Sequence, residues 1–177
     1  MALNYLNLDD KTRSYMIEEI DRDIANDSLY IGRHLNQRGI ADWPDLLRTA
    51  AQSHDDDWLT GQLRHKGYLL KTTPRQSRSG GYTMVEVRRN APEMLAEGEF
   101  NRFYARGLCR RAIDEGIDHV IAYRAKTVTK PHKASEAKIG NQYDPEVILT
   151  DLRTSQGVGP ALGIPRGPNS GISLRLP

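Results

Sequence analysis

Cysteine is nearly absent from this chain, which has one, Cys109, among 177 residues. A single thiol cannot build an internal disulfide framework, so the fold must rest on packing, and this usage fits a reducing cytoplasm. Cys109 lies in a mostly apolar helical pattern with Ala105 and Ala112 beside it. We therefore expect a buried core thiol rather than a nucleophile.

Apolar residues are also scarce, at 38% of the chain, against about 45–50% in ordinary globular domains. A partner that completes part of the surface would explain this shortage, as would a polar monomer. No apolar run approaches the roughly 18 residues of a membrane span. The N-terminal segment MALNYLNLDDKTR also lacks the basic and apolar regions of a signal peptide. We expect a cytoplasmic protein without a membrane partner.

The sequence lacks the common signatures of catalysis. There is no phosphate-binding glycine loop, no nucleophile elbow and no HExxH motif. The five histidines show no helical i,i+4 pair and no cysteine partner, so we expect no metal and no cofactor. We predict a protein that is not an enzyme and has no catalytic residue. A nuclease that uses Glu86, Asp118 and Lys126 is only the third hypothesis, because the spacing of these residues is not specific to nucleases.

The net charge is only +2, but it is unevenly distributed. Residues 1–65 carry 12 acidic and 7 basic side chains, residues 66–133 carry 7 acidic and 14 basic, and residues 134–177 carry 4 of each. The basic middle third is compatible with contact to nucleic acid or to an acidic protein face. A solvated basic surface explains it equally well.

The pattern of elements predicts an α+β fold with three regions. Residues 1–65 form an N-terminal helical region, with helices starting near Asp9, Asp42 and Asp55. Residues 66–153 form an α+β core with a basic loop. It contains a small antiparallel or mixed sheet from residues 68–87 and 117–125 around a central buried helix at 99–115, and ends in a short helix. Residues 154–177 form an extended Gly/Pro-rich arm.

The central helix carries an arginine stripe. At 100° per residue, Arg102, Arg106 and Arg110 fall within one narrow sector, while apolar residues occupy most of the remainder. Guanidinium groups suit phosphate or carboxylate equally. The stripe therefore predicts either binding to nucleic acid or ion pairs with the acidic N-terminal helix. Gly107 in this helix indicates close approach of another backbone.

A second basic cluster surrounds the segment KTTPRQSRSGG, which we expect to form a hairpin or a long excursion. Its arginines, with those that follow the next predicted strand, are candidates for binding nucleic acid or an acidic partner. A flexible solvated loop is the alternative. The cluster comprises Lys71 and the four candidate binding residues Arg75, Arg78, Arg88 and Arg89.

The arm combines glycine and proline with spaced aliphatic residues. Glycine and proline oppose helix formation, yet a disordered tail is normally polar and poor in aliphatics. The arm is thus expected to lie against its own domain or a neighbouring chain. Its candidate docking residues are Leu162, Ile164, Ile172, Leu174 and Leu176.

Three segments carry a resemblance to known proteins: GEFNRFYARGLCRRAIDEG, SEAKIG followed by DPEVILTDLR, and GPNSGISLRLP. Over about residues 80–177 the chain resembles a recurrent family of small bacterial and phage-borne proteins without an assigned catalytic mechanism, some of them among phage head genes. The resemblance implies a defined terminal arm, with a turn at Asn169, Ser170 and Gly171 before an alternating apolar segment. Such a segment can add a strand to a neighbour.

The leading hypothesis is a non-enzymatic structural or assembly protein of a phage-like particle. It would meet protein partners, itself or a larger assembly, through the arm and the basic loop. It would be found in the cytoplasm of a bacterial host or within the particle. The alternative is a nucleic-acid-binding regulatory or defence-related protein that uses the arginine-rich helix and the basic loop.

Overall fold

A computed structural model describes residues 2–77, 80–128, 133–156, 159–165 and 170–177. The fold is α+β, as the sequence predicts. Within the described residues the elements, in chain order, are α1 (Asp10–Ala25), α2 (Gln37–Ser53), α3 (Asp56–His65), β1 (Thr72–Gln76), β2 (Tyr82–Glu86), α4 (Ala91–Asp114), β3 (Val120–Arg124), α5 (Lys133–Glu136), β4 (Gln142–Tyr143), α6 (Pro145–Thr154) and β5 (Ile172–Arg175).

Helix α4 is the centre of the molecule. It packs against α1, α2, α3, α6 and β5, and side chains such as Phe100, Tyr104 and Leu108 are buried among them. The predicted helix at 99–115 is confirmed, but it begins earlier, because the turn opened by Pro92 continues into it without a break. Residues from all three predicted regions enter the same core, which therefore does not divide along their boundaries.

Gly107 marks the crossing of α4 and α1. A Cβ atom built there would lie 2.9 Å from the backbone nitrogen of Met16 and 3.0 Å from the carbonyl oxygen of Thr12. Both atoms belong to the backbone of α1, so any side chain at this position would force the helices apart. The close approach predicted from this glycine is confirmed.

The strands form two small antiparallel sheets. Strands β1 and β2 form a hairpin in which Thr72 lies opposite Glu86 and Gln76 opposite Tyr82. The second sheet has the order β4-β3-β5. The hairpin confirms the first of the two arrangements considered for this segment, although its first strand begins at Thr72 rather than at Tyr68.

The second helix differs from its prediction. Asn36, not Asp42, is its N-cap, since the Asn36 side chain accepts a hydrogen bond of 2.9 Å from the backbone of Gly39. Pro44 lies inside the helix, which continues through it because Trp43 and Leu47 are buried on either side. No helix among the described residues is long and apolar enough to cross a membrane.

Candidate functional site

Arg106 of the predicted stripe is completely buried and bound within the molecule. Its Nε and Nη2 atoms donate to Glu19 Oε2 at 2.9 and 2.7 Å, and its Nη1 atom donates to Asp23 Oδ2 at 2.6 Å. The two carboxylates lie one turn apart on α1, where they face the guanidinium fork. Arg106 is therefore an intramolecular ion-pair residue, and a role in contacting nucleic acid does not fit its burial.

Glu19 is the centre of this buried network. Besides Arg106, it accepts hydrogen bonds from Arg110 and from Arg153 of α6. Burial of Glu19 opposes its ionisation, but the hydrogen bonds from Arg153 and the charge of Arg106 outweigh burial and lower the pKa of Glu19 to about 2. The network ties α1, α4 and α6 together, so its loss would leave buried charges uncompensated.

The other two arginines of the stripe are also engaged. Arg102 donates to the carbonyl oxygens of Leu152 and Ser155 at 3.2 and 3.0 Å, at the C-terminal end of α6. Arg110 is partly exposed and pairs with Glu18 at 3.1 Å. Of the two alternatives left by the sequence, ion pairing with the acidic N-terminal helix accounts for Arg106 and Arg110, while Arg102 caps a helix end.

The last segment of the arm lies in its own domain. Strand β5 pairs antiparallel with β3, with Ile172 opposite Arg124 and Leu174 opposite Ala122, and the two apolar side chains are buried. Asn101 of α4 donates to the carbonyl oxygen of Ile172 at 2.8 Å. The added strand inferred from the family resemblance is thus present, but it joins the chain's own sheet.

The rest of the docking set agrees with this arrangement. Ile164 is buried, and Leu162 and Leu176 pack against the same core. The turn before β5 depends on Gly171, whose φ of +63° is unfavourable for other residues. Of the predicted turn residues, Asn169 lies outside the described residues, as does Arg78 of the basic cluster.

The basic cluster around the hairpin has a different environment from the stripe. Arg75, Arg88 and Arg89 are exposed. Together with Arg33, they are the only arginines in the described part of the chain that neither pair with a carboxylate nor donate to a carbonyl. Arg33 instead donates from Nε to the His34 ring at 3.2 Å.

Arg33, Arg75 and Arg88, but not Arg89, line a cleft of about 910 Å³, here termed the hairpin cleft, that lies between the segment before α2, the hairpin and the first half of α4. A cleft of this size is in the range of ligand sites. Its lining includes Arg33, Arg75 and Arg88 at the surface and Glu97, Glu99 and Arg102 from α4. The sequence did not predict that Arg33, Glu97 and Glu99 line the same cleft as the hairpin arginines, because the segment before α2, the hairpin and α4 are far apart in the chain.

The two glutamates of α4 have different partners. Glu97 accepts a hydrogen bond of 2.6 Å from Lys126. Glu99, which is 7% exposed, makes one ion pair, to Arg102 Nε at 4.0 Å, and no hydrogen bond with the described residues. Burial, partly offset by the charge of Arg102, raises the pKa of Glu99 to about 7. Glu99 is therefore a poorly compensated carboxyl group at the hairpin cleft.

The residues of the nuclease hypothesis are not brought together. Glu86 lines the hairpin cleft, but Lys126 pairs with Glu97, and Asp118 is exposed and does not line the cleft. Within the described residues, no group of three or more His, Cys, Asp or Glu side chains is placed to hold a metal ion. Cys109 is buried, as expected, and burial raises the pKa of its thiol strongly.

No protein-family model, no curated protein and no solved structure matches this chain.

Proposed function

We propose that the protein binds nucleic acid, without a chemical step, at the hairpin cleft. The proposal rests on one observation. Of the four arginines in the described part of the chain that neither pair with a carboxylate nor donate to a carbonyl oxygen, three, Arg33, Arg75 and Arg88, line one cleft, and only Arg89 lies outside it. Unpaired guanidinium groups around a concave surface suit a phosphate backbone.

Of the two basic features in the nucleic-acid hypothesis, the basic loop remains a candidate binding surface and the arginine-rich helix does not. Arg102, Arg106 and Arg110 contribute to the fold rather than to binding, so alanine at Arg106 would measure stability and not affinity. The hairpin arginines Arg75 and Arg88 are exposed and lie on strand and loop positions outside the core. They are the residues that a binding experiment should change.

The test measures the salt dependence of binding to a labelled single-stranded oligonucleotide by fluorescence anisotropy. The double variant Arg75→Ala/Arg88→Ala should weaken binding and lower the slope of log K against log salt by about 1.4, which is the loss of two phosphate contacts. The matched control, Lys11→Ala/Lys133→Ala, also removes two exposed positive charges, but neither residue lines the cleft. Absence of binding at low salt, or equal slopes for both variants, would refute the proposal.

A second candidate is the assembly role in a phage-like particle, with the particle or the bacterial cytoplasm as its location. Tyr82 and Met84 of β2 are 75% and 61% exposed and lie on the same face of a two-stranded sheet. Isolated hairpins are marginally stable, and exposed strand edges tend to pair with other chains. In this version the hairpin, not the arm, meets the neighbouring subunit.

Light scattering after size exclusion tests the assembly role. Self-association through the hairpin predicts an oligomer of the full chain that becomes a monomer in Tyr82→Ser/Met84→Ser. The control Val147→Ser changes an exposed apolar residue on α6 and should leave the mass unchanged. A monomeric full chain across the accessible concentration range would remove self-assembly through this surface.

A further inference from the structure

We infer that Glu99 makes the hairpin cleft selective for guanine in a single strand, by accepting hydrogen bonds from the Watson–Crick edge of the base. The inference rests on the nucleic-acid binding proposed above and specifies which part of the ligand enters the cleft. It depends on two separate features of the described residues: a surface with arginines that make no ion pair, and a largely buried carboxylate that receives no hydrogen bond from them.

Glu99 lies on the cleft side of α4 and is more than nine-tenths buried. Among the described residues no donor is hydrogen-bonded to its carboxylate, and Arg102 Nε is 4.0 Å away. A carboxylate with so little exposure normally accepts several hydrogen bonds from the protein. A ligand that supplies donors at this position would provide them.

The polar side chains next to Glu99 on α4 already make hydrogen bonds within the protein. Asn101 donates to the carbonyl oxygen of Ile172 and accepts from Ser173 Oγ at 2.7 Å. Glu97 is paired with Lys126 at 2.6 Å. The Glu99 carboxylate differs from both in that no described residue donates a hydrogen bond to it.

Burial raises the pKa of Glu99 to about 7, and hydrogen bonds donated by a ligand would favour the ionised form. The ionised carboxylate accepts hydrogen bonds and cannot donate them. The Watson–Crick edge of guanine presents two adjacent donors, N1–H and the N2 amino group, which match the two carboxylate oxygens. The corresponding edges of adenine, cytosine and thymine place an acceptor beside their donor, and its lone pairs would repel the carboxylate.

Arg33, Arg75 and Arg88 provide charge for phosphate groups, and the cleft volume of about 910 Å³ suits a nucleotide-sized group. The Watson–Crick edge is accessible only when the base is unpaired, so the ligand is a single strand rather than a duplex.

The experiment compares short thymidine oligonucleotides whose central residue is replaced by dG, dA or dC. The wild-type protein should bind the dG strand about tenfold more tightly than the others, the usual discrimination of one bidentate contact. Glu99→Gln replaces one acceptor by a donor and should abolish this preference, so that the dG strand binds no more tightly than the other three. Glu86→Gln is the matched control, because Glu86 lines the same cleft but is exposed.

Each outcome decides between the two proposals. Equal, salt-dependent binding of all four strands by the wild-type protein overturns the guanine inference but not nucleic-acid binding. A dG preference that persists in Glu99→Gln has the same consequence. No binding of any strand overturns both. If Glu99→Gln melts below the assay temperature, Glu99→Asp is used in its place and compared with the wild type. This variant retracts the carboxylate by one methylene group.

Discussion

Replacing Gly107 by alanine tests the central packing of the molecule. In an exposed helix, glycine to alanine stabilises by about 0.5–1 kcal/mol. At Gly107 the added Cβ would lie 2.7 Å from Met16 Cγ, in addition to its short distances from two backbone atoms of α1. The methionine side chain can move, but the backbone atoms move only if the whole of α1 moves.

The size of the effect follows from these two opposing contributions. Overpacking a core by one methyl group costs about 1–3 kcal/mol, and the upper part of this range applies because backbone atoms obstruct the Cβ. Subtracting the gain in helix propensity leaves a net loss of about 2 kcal/mol in the free energy of unfolding. This corresponds to a decrease in Tm of about 4–8 °C for a chain of this size.

Gly61 of α3 provides the matched control. It is also a helical glycine, but a Cβ built there has no atom within 4 Å, so Gly61→Ala should stabilise the protein by about 0.5–1 kcal/mol. Urea unfolding followed by circular dichroism measures both variants. If Gly107→Ala were as stable as Gly61→Ala, α1 and α4 would not be in contact at this position, and the description of the core would be wrong.

Three further predictions concern pH and the arm. Burial raises the pKa of Asp56 to about 7, so the contribution of Asp56 to stability should fall as pH rises from 4 to 7, and Asp56→Asn should be more stable than the wild type by ~1–3 kcal/mol at pH 8 but not at pH 4; a pH-independent difference would contradict this. Glu19 has the opposite sign, because its pKa is lowered to about 2. Glu19→Gln should cost ~3 kcal/mol above pH 4.5 and progressively less as pH falls to 2 in urea titrations. Deleting residues 170–177 removes the buried Ile172 and Leu174, worth ~2 kcal/mol each, and should abolish cooperative thermal unfolding; a deletion protein that melts like the full chain would mean that the arm is not part of its own core.

The helices of this fold were largely predictable from local sequence. Asp9 caps α1, Asp55 caps α3 and Asp144 caps α6, each through its side chain, and caps act within one turn of the helix they begin. The start of α2 was misplaced because Asp42 and Pro44 imitate a helix start. Burial of Trp43 and Leu47 outweighs the hydrogen bond that proline cannot donate.

The candidate site was less predictable, because its parts lie far apart in the chain. Arg33 precedes α2, Arg75 lies on β1 and Glu99 lies on α4, and no sequence spacing relates them. The basic character of Arg75 and Arg88 was visible in the local charge pattern. The lack of donors around Glu99 could not be predicted, because it depends on which neighbouring side chains form hydrogen bonds with other groups in the fold.

The arginine stripe and the arm show why one sequence pattern fits both an interface and an interior. A row of guanidinium groups needs carboxylates or phosphates, and a chain of spaced aliphatic residues needs an apolar surface; neither requirement says whether the partner belongs to the same chain. Here Glu19 and Asp23 satisfy Arg106, and β3 receives β5. The arginine stripe and β5 therefore find their partners within the fold. In contrast, Arg75 and Arg88 of the hairpin cleft have no acidic partner among the described residues, and Tyr82 of the hairpin is exposed. The hairpin cleft is therefore the better candidate for a ligand site because its arginines lack internal partners, and not because of its basic charge alone.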